Sequence, residues 1–228
     1  MPRPKAAVQM TRTGHPVRDD RPFTPEATVG PFYPGAFLSG TPQDLWMVAP
    51  LVAHRPQGQP IVVAARFLDA LGRPVPSLIV EFWQANARGR YRHPEDRSAA
   101  PLDPQFDGFA RLRTGDEGTV RLHTIKPGAH PADPAAVAMR APHLRLTIFA
   151  SGIDRLVTQI FFDDEPLNGT DPLLNSIPDP VVRARLIAAS RGLSAEARLD
   201  AGERRRREYA IDIVLRGDAE APFFDDFA

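Results

Sequence analysis

Residues 140–149, Arg-Ala-Pro-His-Leu-Arg-Leu-Thr-Ile-Phe, place the chain's most informative pair of side chains. Leu144, Leu146 and Ile148 alternate with His143, Arg145 and Thr147, the period-two pattern of a half-buried strand. His143 and Arg145 therefore share one face, about 7 Å apart along the strand. Histidines at both places would make a pair of metal ligands. Arginine stays protonated and has no lone pair to give. Other candidates are weaker. The Asp163-Asp164-Glu165 triplet could attract a cation, although such triplets are usually solvated. Tyr91 on an Arg-rich loop reads, taken alone, as a packing or surface residue, and His130 among prolines and alanines as an exposed one. Arg204–Arg207 is flanked by Glu203 and Glu208 and reads as a charged surface turn.

These side chains need a scaffold, and the sequence predicts an all-β one. The chain has 228 residues, 43% of them apolar and 25% charged, enough for one domain with a substantial core. Formal net charge is zero, which gives no electrostatic case for nucleic acid or anionic lipid. Without cysteine there is no disulfide, thiolate metal site or cysteine nucleophile. No run of about 18 apolar residues could span a bilayer, and the basic N-terminus lacks the apolar stretch of a signal peptide, so a cytoplasmic protein is expected. The 25 prolines favour a loop-rich β protein.

Residues 1–22 read as a flexible arm preceding a domain over 23–228. Strands are expected at 61–68, 77–83, 119–125, 143–149, 156–162 and 209–215. Long loops are expected over 86–116 and 126–139, and a solvated loop or frayed turn over 201–208. One helix is expected over 180–189, with Asp179 as N-cap, Pro180 at its first position and Gly192 as its stop. Phe223-Phe-Asp-Asp-Phe227 should dock, on its own domain or on a partner. The sum is a β-sandwich with one short helix and long loops at one end.

Several blocks, taken in order, are similar to a known family. Phe82-Trp-Gln-Ala-Asn-Ala-Arg-Gly-Arg-Tyr-Arg-His93, Ala100-Pro-Leu-Asp-Pro104, Thr124-Ile-Lys-Pro-Gly128, Ala141-Pro-His143 and Thr158-Gln-Ile-Phe-Phe162 resemble the intradiol ring-cleaving dioxygenases, in particular the protocatechuate 3,4-dioxygenases. The Phe161-Phe-Asp-Asp-Glu165 and Phe223–Phe227 blocks look like that group's α subunits, and Arg90-Tyr-Arg-His93 like its β subunits. The resemblance implies Fe(III) held by two tyrosinates and two histidines on a β subunit, beside a related α subunit with a degraded centre. By position it assigns Tyr91 and His143 to two ligand places, while His130 stands for the second tyrosine and Arg145 for the second histidine. It also assigns Arg140 to a catalytic arginine, Gln159 to a pocket glutamine, and Gly30, Pro31 and Phe32 to the wall of the partner's pocket. Ser151 replaces an arginine expected near a substrate carboxylate. The expected partners are a β subunit, a catechol-type aromatic acid and O2. Two rival expectations are a self-sufficient dioxygenase whose iron sits on Tyr91, His130 and His143, and a non-catalytic scaffold subunit.

Overall fold

In a computed structural model, residues 56–133, 137–150, 153–193 and 206–224 are described, without the side chains of residues 150, 153 and 154. The residue-1–22 arm, Gly30, Pro31, Phe32 and Ser151 lie outside them.

Strands β1 (Pro60–Leu68), β2 (Ile79–Trp83), β3 (Phe109–Arg113) and β4 (Thr119–Ile125) open the domain. A two-residue ladder, β5 (His130–Pro131) with β6 (Met139–Arg140), precedes the long strands β7 (His143–Ala150) and β8 (Ile153–Phe162). After a 3-10 turn at Pro166–Gly169 come the short helices α1 (Pro172–Ser176) and α2 (Pro180–Ala184), then β9 (Ile187–Leu193) and β10 (Arg207–Val214). Eight strands run in the order β3-β2-β7-β8-β9-β10-β1-β4. β9 is the hinge of the sandwich: it pairs parallel to β8 at its start and antiparallel to β10 further on.

The alternation seen in the sequence explains the packing. Leu144, Leu146 and Ile148 of β7 are fully buried and meet Ile61, Val63 and Phe67 of β1 and Leu122 of β4 in one cluster drawn from both halves of the sheet. Ile160 and Phe162 of β8 join that core, while Phe161, facing the other way, packs with Ala141, Leu174 and Leu186 in a second cluster. The His143 side of β7 therefore faces away from the main core, along the second cluster.

Several expectations need correction. The 86–116 loop contains β3, whose Arg-rich edge buries only Ala110 and Leu112, and the 126–139 loop contains the β5–β6 ladder. The 180–189 helix stops at Ala184, after one turn capped by Asp179. The remainder becomes β9, because Ile187 and Ala188 complete backbone pairing with β8 in the middle of the sheet, and that outweighs local helix propensity. Gly192, at φ 86°, sits at a bulge opposite Glu208 instead of stopping a helix. Arg207 and Glu208 belong to β10, not to a loop. Phe223 and Phe224 dock on the chain's own domain, where Phe224 N donates to Val157 O at 2.8 Å.

Candidate functional site

Two loops meet on the outer face of β7. Asn86 organises the first: its Oδ1 accepts from the N–H groups of Arg88 (2.9 Å) and Arg90 (3.1 Å), and its Nδ2 donates to Pro101 O (3.0 Å). The Asn86 carbonyl accepts from Gly89 N at 3.0 Å and, across the gap, from Gly128 N at 2.9 Å. Glycine is what permits this approach. A Cβ on Gly89 would lie 2.0 Å from Ala129 O, and one on Gly128 would lie 2.5 Å from Ala87 O. The second loop is tethered at its start, where Lys126 Nζ donates to Asp164 (2.7 Å) and bridges to Glu165 (2.6 Å). The Asp163–Glu165 triplet is thus used internally: Asp163 also accepts from Ser190 N at 2.9 Å.

This apposition brings together three rings that lie far apart in sequence. Tyr91 and His130 have centroids 5.3 Å apart, as do His130 and His143, and Tyr91 Oη lies 3.4 Å from His143 Nε2. His143 Nδ1 donates to Ala141 O at 2.7 Å and His130 Nδ1 to Pro131 O at 2.9 Å. A carbonyl can only accept, so both rings carry their proton on Nδ1 and present the Nε2 lone pair. Burial pushes the Tyr91 phenol up to about 12, against the pull of Arg140 and Arg145. Burial, reinforced by Arg140, pushes His143 down to about 3, and burial also lowers His130. Both imidazoles are neutral near pH 7. Arg145, in register with Trp83 on β2 and Gln159 on β8, is half-buried and electrostatically coupled to Tyr91.

Arg140 is fixed beside this cluster. Its Nε meets Asp171 Oδ2 at 3.0 Å, and a terminal N–H donates to Gln159 Oε1 at 2.6 Å. Asp171 is completely buried and accepts four hydrogen bonds: Arg140 Nε, Ala141 N (2.7 Å), and the N–H groups of Leu173 and Leu174 that open α1. Sequence reading missed Asp171, although Asp171-Pro172 repeats the cap signature recognised at Asp179-Pro180. It also missed the lining of the adjoining cleft. That cleft, of about 570 Å³, is walled by the rings of Trp83, Tyr91, His93 and His130, with Asp96 and Arg97 nearby.

Of the expected site residues, Tyr91, His130, His143, Arg145, Arg140 and Gln159 come together. The ligand set implied by the resemblance suits trivalent iron through two phenolates. The residues present offer one phenol where the implied set has two, two imidazoles, and in the fourth place a guanidinium with no lone pair to give, and they do not fit that ion.

The buried His143 also predicts acid lability. Its folded pKa is depressed, so its contribution to stability is full above its unfolded value near 6.5 and is lost as pH falls towards about 3. On the order of 4 kcal/mol is at stake across that window. Urea midpoints of the chelator-treated chain should fall between pH 7 and pH 4, and His143→Gln should flatten the fall.

Comparison with known proteins shows the family of the chain. A family model described as dioxygenase matches residues 31–217. The α chain of protocatechuate 3,4-dioxygenase from Pseudomonas putida is 34% identical over 213 residues, spanning 90% of this chain and 96% of that one. The chain belongs to the intradiol dioxygenases. The β chain of protocatechuate 3,4-dioxygenase from Burkholderia cepacia is 43% identical over 168 residues, 73% of this chain and 68% of that one. Hydroxyquinol 1,2-dioxygenase from Pseudomonas putida DLL-E4 shares the fold at TM-score 0.57 and 20% identity, covering 98% of this chain and 68% of that one.

Proposed function

We propose that the chain is the α-type subunit of a protocatechuate 3,4-dioxygenase, acting in the cytoplasm with a β-type partner that carries the catalytic Fe(III). The complex would cleave 3,4-dihydroxybenzoate between its two hydroxyl-bearing carbons, placing both atoms of O2 in 3-carboxy-cis,cis-muconate. The observation that carries this reading is Arg145. Arg145, two residues along β7 from His143, is a half-buried cation, and at 4 Å and an effective dielectric of 20 it would oppose each unit of ion charge by about 4 kcal/mol. The nearly full-length similarity to the α chain also supports it. Among the described residues, no helix is long and apolar enough to cross a membrane.

In this reading Arg140 and Gln159 keep the vestigial cavity ordered, while Gly30, Pro31, Phe32 and Ser151 contribute to the partner's pocket. Co-expression with a β-type relative should give a complex that takes up oxygen with 3,4-dihydroxybenzoate, and Pro31→Ala should change its KM. Unchanged KM and turnover would favour the scaffold reading. The self-sufficient reading draws on the 43% identity to a β chain and predicts ring cleavage by the chain alone.

A further inference from the structure

The segment from the end of β8 to the start of α1 carries two anchors of the ring cluster. Asp164 and Glu165 hold Lys126, which begins the loop bearing His130, and Asp171 holds Arg140. Between these anchors lies the turn Pro166–Gly169, which contains the pair Asn168-Gly169. Two side-chain amides tie the turn down: Asn168 Nδ2 donates to Phe162 O at 2.7 Å, and Asn175 Nδ2 to Gly169 O at 3.0 Å. The chain has three asparagines, and they are held unequally. Asn86 accepts twice at Oδ1 and donates at Nδ2, while Asn175 donates to Gly169 and accepts from Arg183 at 3.2 Å. Asn168 is held by Nδ2 alone, because its Oδ1 is buried with no hydrogen-bond partner. Turning it outward exchanges one internal bond for water on both polar atoms, so it is the least costly of the three to release. It is also the one followed by glycine. A Cβ on Gly169 would meet nothing within 4 Å, so the main chain there has room to move.

We propose that Asn168-Gly169 is the chain's site of spontaneous deamidation, and that the change loosens the segment carrying both anchors. The Gly169 nitrogen bonds Asn168 Cγ, the Cγ–Nδ2 bond breaks, and ammonia leaves with the Gly169 amide proton. Water then opens the cyclic imide. Breaking the new Cγ–N bond leaves aspartate. Breaking the original backbone C–N bond leaves isoaspartate, which adds a methylene to the main chain and shifts the Gly169 carbonyl that Asn175 holds. Either product exchanges the Nδ2 donor for a carboxylate. Phe162 O can only accept, so the tie to β8 is lost, and a negative charge is added beside Asp163, Asp164 and Glu165.

The test incubates the full chain at mildly alkaline pH and maps its peptides by mass, with enzymatic methylation reporting isoaspartate. The amide-to-acid mass gain should come at Asn168 before Asn86 or Asn175, as aspartate and isoaspartate together. Gly169→Ala, which the open surroundings admit, should keep the fold and suppress the change, since a Cβ hinders closure of the imide. Hydrogen exchange reads the consequence. In Asn168→Asp, the Leu173 and Leu174 amides that Asp171 holds should open about tenfold more often, the factor that one lost hydrogen bond brings. A first change at Asn86 or Asn175, no change at Asn168, or equal rates in Gly169→Ala would each overturn the site. Unaltered exchange in Asn168→Asp would overturn its coupling to the anchors. These outcomes are independent of the subunit reading.

Discussion

Asp171→Ala is expected to lower the folding stability of the chain by about 3–5 kcal/mol, the usual cost of removing one partner from a buried ion pair. The carboxylate is fully buried and does three jobs. It pairs with Arg140, which would otherwise keep a poorly solvated charge, its side chain being only 12% exposed. It caps α1 through two backbone N–H groups, a contribution of about 1 kcal/mol by itself. It also holds Ala141 N, and the Ala141 carbonyl in turn fixes the tautomer of His143. Urea unfolding would measure the loss, and a cost under about 1 kcal/mol would contradict the account. Asp171→Asn keeps an acceptor for the helix cap but gives up the ion pair, so it should fall between the parent and the alanine variant. Nitrogen-15 shifts of His143 would then report whether the tautomer depends on this chain of contacts.

Gly89→Ala should be nearly as damaging, at about 3 kcal/mol or more, for a different reason. The residue has φ 77°, where a side chain costs about 1–2 kcal/mol, and the added Cβ would also lie 2.0 Å from the Ala129 carbonyl oxygen. Relief requires the two loops to part, which separates Tyr91 from His130. Gly72→Ala is the control. It has a similar φ of 74° with nothing within 4 Å, so it should cost only the backbone strain, about 1–2 kcal/mol. If the two variants were equally stable, close approach of the loops would not be what assembles the site.

How far the sequence announces this structure follows from the range of the interactions. β4 and β7 are legible because their alternation is local and the buried face is apolar, and β1 and β8 because each is a short apolar run buried on both faces. β9 is not. Residues 181–189 carry an apolar pattern that suits a helix, and only pairing with β8 and β10 turns Ile187–Leu193 into a strand. The ring positions of Tyr91, His130 and His143 were readable through family resemblance, but the Gly89–Gly128 contact that apposes them was not. Asp171 shows the same limit. Its Asp-Pro signature marks a cap, yet its pairing with Arg140 spans 31 residues and leaves no local trace.

The most direct test of the central claim is the iron content and visible spectrum of this chain, purified alone and again after co-expression with a β-type partner. Tyrosinate–Fe(III) centres absorb strongly in the visible, so both readouts come from one preparation. The account predicts a colourless, iron-free chain alone and a coloured, active complex. Stoichiometric iron and colour in the chain alone would contradict it, and would mean that His130 serves as an iron ligand despite Arg145.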